Sequence, residues 1–331
     1  MTHRILFAFL TWGLMSSPVY PSTLTAAQSE TSPELLQSAF GTLTEVLESD
    51  TTTRQIHAAE VLIEFGHTTQ VYGWFHQSDE ELDDLPIRRV TVWRALAGSA
   101  PSESERSEWV SKIVAIASTV EAPDRLHAVE SLAKLRVSPQ LELAASLQEW
   151  KKSALEREVV FIQWALWADA PTANLGEILS TYLNSADEIT QLRAAYITRW
   201  LGAPPPASMA LVDLANRTKG SDQVAAIVLA SAYLLGPKLT DAPHWRSQME
   251  SLAQGADPAA TYHALQGLMP FYTNRDLDRI SPLLQHSDAD VRVAAAWTIL
   301  TIYRNAQRDS KAASSSCDLK PTGGGSLPNG R

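Results

Sequence analysis

Apolar residues recur along most of this chain at steps of three and four. In the segment that begins at Asp290, Val291, Ala294, Ala295, Ile299 and Ile302 fall on one stripe of a 3.6-residue period. No run alternates at period two with β-branched residues, so the pattern predicts helices and no strands. Helix starts are marked by a short polar residue followed by proline, at Ser32-Pro33, Ser138-Pro139, Asp257-Pro258 and Ser281-Pro282. There the cap oxygen accepts a free amide, and proline has none to lose. Gly66, Gly202 and Gly236 close such stretches, where a left-handed residue costs least.

The apolar stretches are copies of one another. Residues 53–62 (Thr-Arg-Gln-Ile-His-Ala-Ala-Glu-Val-Leu) match the segment from Asp124 to Leu132, and His57 and His127 lie 70 positions apart. Between them comes the segment Ile87 to Leu96, with Arg89 placed 35 residues after Arg54. Further copies open at Arg157, Arg193, Val224, Tyr262 and Arg292. Eight such units fit residues 33–308, about 34 residues each. Each reads as a helix pair that cannot bury both apolar faces alone and therefore stacks on its neighbours. Small residues at matched places (Ala58, Ala59, Ala194, Ala195, Ala225, Ala226, Ala294, Ala295) let the second helices approach closely. The expected fold is all-α, an α-solenoid of about eight stacked pairs.

The segment Ser281 to Ala296 resembles a HEAT repeat of the bacterial type. It has a proline, two leucines, an Asp-x-Asp-Val-Arg turn (Asp288 to Arg292) and an alanine-rich helix. The resemblance implies a ladder in which turn aspartates meet helix arginines of successive repeats. Asp290/Arg292 match that pattern, Asp124/Arg125 and Asp187/Arg193 match more loosely, and Asp222 and Asp257 lack an arginine in register. Residues 87–135 also resemble the HEAT-type extensions of some bacterial sodium/solute symporter proteins, through Arg89, Val92 to Leu96, Glu105-Arg106, Trp109, Lys112-Ile113 and Asp124 to Ala128. That likeness implies an exported relative of such an extension.

Domain organisation follows from the interruptions. His3 and Arg4 precede the apolar run Ile5 to Met15, and Thr25-Ala26-Ala27 offers small residues for cleavage. The run is too short to span a bilayer. Residues 1–27 are therefore expected to be a signal peptide, with an uncleaved anchor as the alternative, and residues 28–32 a short linker. The product would be periplasmic or extracellular, with no stable membrane span once the signal is removed. Ala203 to Ala207, with three prolines, marks a sub-boundary or a loop between repeats. Beyond residue 308 the period vanishes into Ser314-Ser315-Ser316 and Gly323-Gly324-Gly325, so residues 309–331 are expected to be a disordered tail. Cys317, the sole cysteine, lies there, so no internal disulfide supports the fold.

Charge narrows the function. Lysine and arginine number 27 against 37 acidic residues, a net charge of −10, which disfavours nucleic acid and anionic lipid as partners. His57/Glu60 and His127/Glu130 repeat a His-x-x-Glu spacing that places imidazole and carboxylate on one helix face. They are weak metal candidates. Val92 stands at the matching place of the intervening repeat, and helices two layers apart are separated by about 20 Å at ~10 Å per layer. The expectation is therefore histidines packed between repeats, with no metal and no cofactor. No histidine precedes a glutamate directly, which excludes the paired His-Glu chemistry of deoxyhypusine hydroxylases. Motifs for a serine nucleophile, a zinc protease, a phosphate loop or a paired Cys-x-x-Cys are also absent.

Trp164 and Trp167, three apart on one helix, offer a stacking platform if exposed and core if not. Arg88, Arg89 and Arg94 form the dense basic cluster, beside an acidic run from Ser78 to Asp84. The leading expectation is a non-enzymatic scaffold whose concave face binds another protein through Arg89, Arg94, Trp164 and Trp167. A carbohydrate- or solute-binding module linked to uptake, with a glycan as ligand, is the first alternative. An enzyme with a site near His57, Glu60, His127 and Glu130 is the second.

Overall fold

The computed structural model describes residues 32–77, 85–167, 174–218 and 221–317, with side chains as far as residue 310. Residues 1–31, with the expected signal, and the acidic run at 78–84 lie outside that set. Among the described residues every regular element is helical. The helices alternate between two layers. The outer layer holds α1 (Pro33–Ser49), α3 (Thr68–His76), α5 (Glu103–Ser118), α7 (Leu141–Lys151), α9 (Leu175–Leu183), α11 (Ala207–Arg217) and α13 (Ala242–Leu252). The inner layer holds α2 (Thr53–Glu64), α4 (Pro86–Ser99), α6 (Arg125–Lys134), α8 (Glu156–Leu166), α10 (Glu188–Leu201), α12 (Asp222–Leu235), α14 (Pro258–Leu268) and α16 (Ala289–Cys317). Between α14 and α16 the outer layer breaks into 3-10 turns at Met269–Phe271, Asn274–Asp276 and Ser281–Gln285 and one helical turn, α15 (Leu277–Ile280).

Most expected helix signals act as physics dictates. Ser32 caps α1 by accepting from the Leu35 amide at 3.2 Å, and Asp257 caps α14 by accepting from Ala259 and Ala260. Three signals act differently. Ser138-Pro139 stands ahead of α7, which begins at Leu141 after Gln140. Ser281-Pro282 opens a 3-10 turn instead of an α-helix. Gly236 has φ −136° and so is not left-handed; a Cβ there would crowd the Leu239 side chain. Gly66 does end α2 at φ 88°, with the His67 amide returning to the Leu62 carbonyl at 2.9 Å. The copy 70 residues on repeats this closure at α6, but Arg136 occupies the left-handed position at φ 54°. Helix α16 runs on to Cys317, past residue 308 where the tail was expected to begin.

Each inner helix packs against the next, from α2 to α4 and onward to α16. Helix α16 then packs against both α2 and α1, so the inner layer closes on itself. Several ion pairs join the ends, three of them short. Arg54 donates to Asp288 at 2.9 Å, His57 Nδ1 meets Asp290 at 2.8 Å, and Arg304 reaches Glu64 at 2.7 Å. The array therefore lacks the free ends and the open concave surface that the repeats alone led one to expect. The paired alanines lie at or near the helix contacts, and Ala58, Ala59, Ala194, Ala195, Ala226, Ala294 and Ala295 are buried. The proline segment is held as well: a Cβ on Gly176 of α9 would overlap the Pro205 carbonyl oxygen. On either side of it α9 packs on α11 and α10 on α12.

Candidate axial site

Each inner helix has one face toward the outer layer, two toward its neighbours and one toward the axis. Eight helices about 10 Å apart form a ring roughly 26 Å across, too wide for alanine or leucine to fill from the walls. Long polar side chains fill it instead. Arg94 of α4 donates to Glu60 of α2 at 2.7 Å and to the Ser131 hydroxyl of α6 at 3.3 Å. Lys134 pairs with Glu130, one turn back on α6, at 2.8 Å, and its ammonium lies 5.6 Å from the ring centre of Tyr196 on α10. Arg199, one turn beyond Tyr196, donates to the Ser231 hydroxyl (2.9 Å), the Ile227 carbonyl (3.0 Å) and Gln266 of α14 (3.3 Å). The circuit is completed by Tyr262 of α14, stacked on His57 at 4.9 Å, and by His263, 3.2 Å from Gln266.

Electrostatics locks most of these groups in one form. Burial disfavours the charge on Glu60, but Arg94, Lys134 and His57 outweigh it and hold the carboxyl below its ordinary value. Glu130 is depressed further: burial is overcome by Lys134, the His127 contact and Arg94. Lys134 is raised for the converse reason, since burial loses to Glu130 and Tyr196. Burial alone decides Arg199, whose pKa falls to about 10, and burial together with Arg199 pushes His263 down to about 3. Tyr262 is held well above 10 by burial and then by Glu60 and Asp290. Water still reaches the cluster: the Glu60 and His127 side chains are each 41% exposed, His57 30% and Asp290 23%. Charged groups from several helices surround these partly exposed side chains.

The structure distributes the sequence candidates unevenly. His57, Glu60 and Glu130 belong to the axial cluster, while His127 reaches it only through a 3.7 Å contact with Glu130. The separation expected for units two apart is corrected, because ring closure and long side chains bring Glu60 under the influence of Lys134 on α6. No group of three or more histidine, cysteine or carboxylate side chains suited to a metal occurs among the described residues. Arg94 is buried in the cluster and Arg89 is spent on the inter-helix pair with Asp124 (2.9 and 3.2 Å). Trp164 and Trp167 are 1% and 2% exposed, so neither offers a face to a ligand. Trp164 instead packs on Tyr196 and Trp200. Those two tryptophans and Arg94 are corrected from surface contacts to interior residues.

Lys134, Tyr196, Arg199, Tyr262 and His263 were missed by sequence reasoning, although a signal exists. Glu60, Glu130, Tyr196 and Tyr262 follow one another at intervals of 70, 66 and 66 residues, about two repeats each. Every second inner helix (α2, α6, α10, α14) thus sends a long polar side chain to the axis. A 250 Å³ cleft lies elsewhere, lined by Glu250, Gln254, Tyr272, Arg279 and Leu283 and by no residue of the axial cluster. Comparisons with protein-family models, with curated proteins and with solved structures return no match.

Proposed function

We propose that this chain is an exported, non-enzymatic binding protein: a HEAT-like repeat array closed into a ring, whose axial pit takes a small polar solute. The convergence of Glu60, Arg94, Glu130, Lys134 and Tyr262 from four inner helices onto one partly wet space carries the reading. A core selected for stability alone would favour apolar fill there, because a buried ion pair roughly breaks even against hydrophobic residues of its own volume. Binding is favoured over acid–base catalysis by the direction of the shifts. General acids and bases work best near the operating pH, whereas Glu60 and Glu130 are held below their ordinary range and Lys134 above its own. Export rests on the basic, apolar and small-residue pattern of residues 1–27. Among the described residues, no helix is long and apolar enough to cross a membrane.

The test is a thermal-shift screen of the mature protein with neutral sugars, amino acids and hydroxy acids. A ligand at a hundred times its Kd stabilises the fold by about 2.7 kcal/mol, a shift of a few degrees. The expected result is at least one stabilising class whose effect disappears in Glu60→Gln; a screen in which no class shifts the protein overturns the reading.

The protein-scaffold reading is supported by a different observation. Leu85, Ile87, Leu155 and Ile189 are exposed at the starts of α4, α8 and α10, and Val120 is exposed in the connection that leads into α6. Those starts share one end of the ring, where another protein would meet a row of apolar side chains. Substituting Leu155 and Ile189 by serine should then abolish a captured partner without altering solute binding.

A further inference from the structure

We propose that the axial pit is selective for a small hydroxylated monocarboxylate, its anionic group seated at Arg199 and its hydroxyls at Tyr196 and Tyr262. This rests on the solute-binding reading above and names its ligand class. Three observations lead to it.

The first is a charge without a counter-charge. Arg94 has Glu60, Lys134 has Glu130, and Arg54 has Asp288 and Asp290. Arg199 alone among the axial cations has no carboxylate within ion-pair distance among the described residues; its hydrogen bonds end on a serine hydroxyl, a backbone carbonyl and a glutamine. A guanidinium taken out of bulk water without an anion bears a desolvation cost that a bound carboxylate would relieve. Arg199 is thus the one axial guanidinium left to pair with a single added carboxylate, which fits a monoanion.

The second is a pair of hydroxyls without partners. Neither the Tyr196 nor the Tyr262 hydroxyl makes a hydrogen bond to any described residue, and neither oxygen is among the buried atoms without a partner, so both are open to solvent. Both rings flank Arg199: its guanidinium lies 5.8 Å from the Tyr196 ring centre, and its charge is felt by Tyr262.

The third is the buried Arg94, 8% exposed, whose Nε has no acceptor. Together these leave unspent donors on α10 and α14 beside partly exposed side chains, and a buried one on α4. A solute rich in acceptors, with one full negative charge, is the complement. The exposed tryptophan faces that a neutral sugar would stack on are missing here, since Trp164 is core.

The test is isothermal titration of the folded protein with glycolate, glycerate and D-gluconate, with D-glucose and inorganic phosphate as controls. The expected order is a hydroxy acid at least tenfold tighter than glucose, with phosphate weaker still. Tyr196→Phe and Tyr262→Phe remove hydroxyls that bond to nothing in the fold, so each should leave the melting temperature unchanged and weaken the hydroxy acid three- to tenfold. Arg199→Lys keeps the charge but loses the fork, and should weaken it by a similar factor. If glucose binds as tightly as every hydroxy acid, the charge assignment falls and the solute-binding reading survives. If the three acids fail while an amino acid or sugar from the wider screen binds, the inference alone is overturned. If both tyrosine variants bind every acid like the parent, the placement at Tyr196 and Tyr262 is wrong.

Discussion

Two junctions between inner helices behave differently, although both belong to one ring. At α12–α14 the backbones nearly touch: a Cβ added to Gly267 would lie 2.5 Å from the Ala230 Cβ, 2.8 Å from its Cα and 2.9 Å from the Met249 sulfur. Dispersion and burial hold that contact, and only glycine permits it. At the junction of α2 with α16 the partners are polar side chains, most of them charged, and these are the first and last helices of the inner layer. Arg54, His57 and Glu64 meet Asp288, Asp290 and Arg304, with all six side chains partly open to water. The first junction is fixed by shape and insensitive to ions; the second carries ion pairs that salt weakens.

The largest expected effect breaks the shape-fixed junction. Gly267→Val should cost about 3 kcal/mol, because neither the Ala230 backbone nor Met249 can withdraw in a packed interior. Urea unfolding measures it, and a loss below 1 kcal/mol would mean that α12 and α14 separate easily. Next comes the charged junction. Asp290→Asn removes the partner of His57 and one partner of Arg54, and should cost about 1 kcal/mol at low salt and less at 1 M. Hydrogen exchange sharpens the contrast: amides of α1, α2 and α16 should gain exchange in this variant, while those of α12 and α14 stay protected.

A third prediction concerns acid. His263 has a folded pKa of about 3 against an ordinary 6.5, so between those values the unfolded chain binds the extra proton. Stability must therefore fall as pH drops below about 6.5. Glu60 and Glu130, depressed below an ordinary 4.5, add to the loss once pH passes under 4.5, because the unfolded state again takes the proton first. Denaturant midpoints from pH 7.5 to 3.5 should follow this slope, and His263→Gln should flatten the part above 4.5. The smallest effect is a gain: Arg136→Gly relieves a left-handed arginine and should add about 0.5–1 kcal/mol.

How much of this was legible in the chain depends on the length scale of each cause. Helix periodicity, the caps at Ser32 and Asp257 and the left-handed Gly66 are local and could be read directly. The all-helical class was also visible, because no segment carries a strand period. Closure was not, since Arg54 and Asp288 are 234 residues apart and the resemblance pointed to partners in adjacent repeats. The pair Arg89–Asp124, by contrast, joins α4 to the residue that opens the next inner helix. The axial residues escaped for a related reason. A face that looks at the centre of a ring is neither core nor surface, and Tyr196 or Arg199 read alone resembles an ordinary amphipathic position. Only the doubled interval linking Glu60, Glu130, Tyr196 and Tyr262 distinguishes them, and it acquires meaning once the array is known to bend back on itself.

That α1 and α16 are neighbours has a topological corollary. A closed circuit of helices has no privileged opening, so the order in which the chain visits them is separable from the shape they form. New termini cut into the turn between α9 and α10, with the old ones joined by a linker, should give a permutant of the same architecture. An open row of the same modules, permuted in that way, would be severed at its middle.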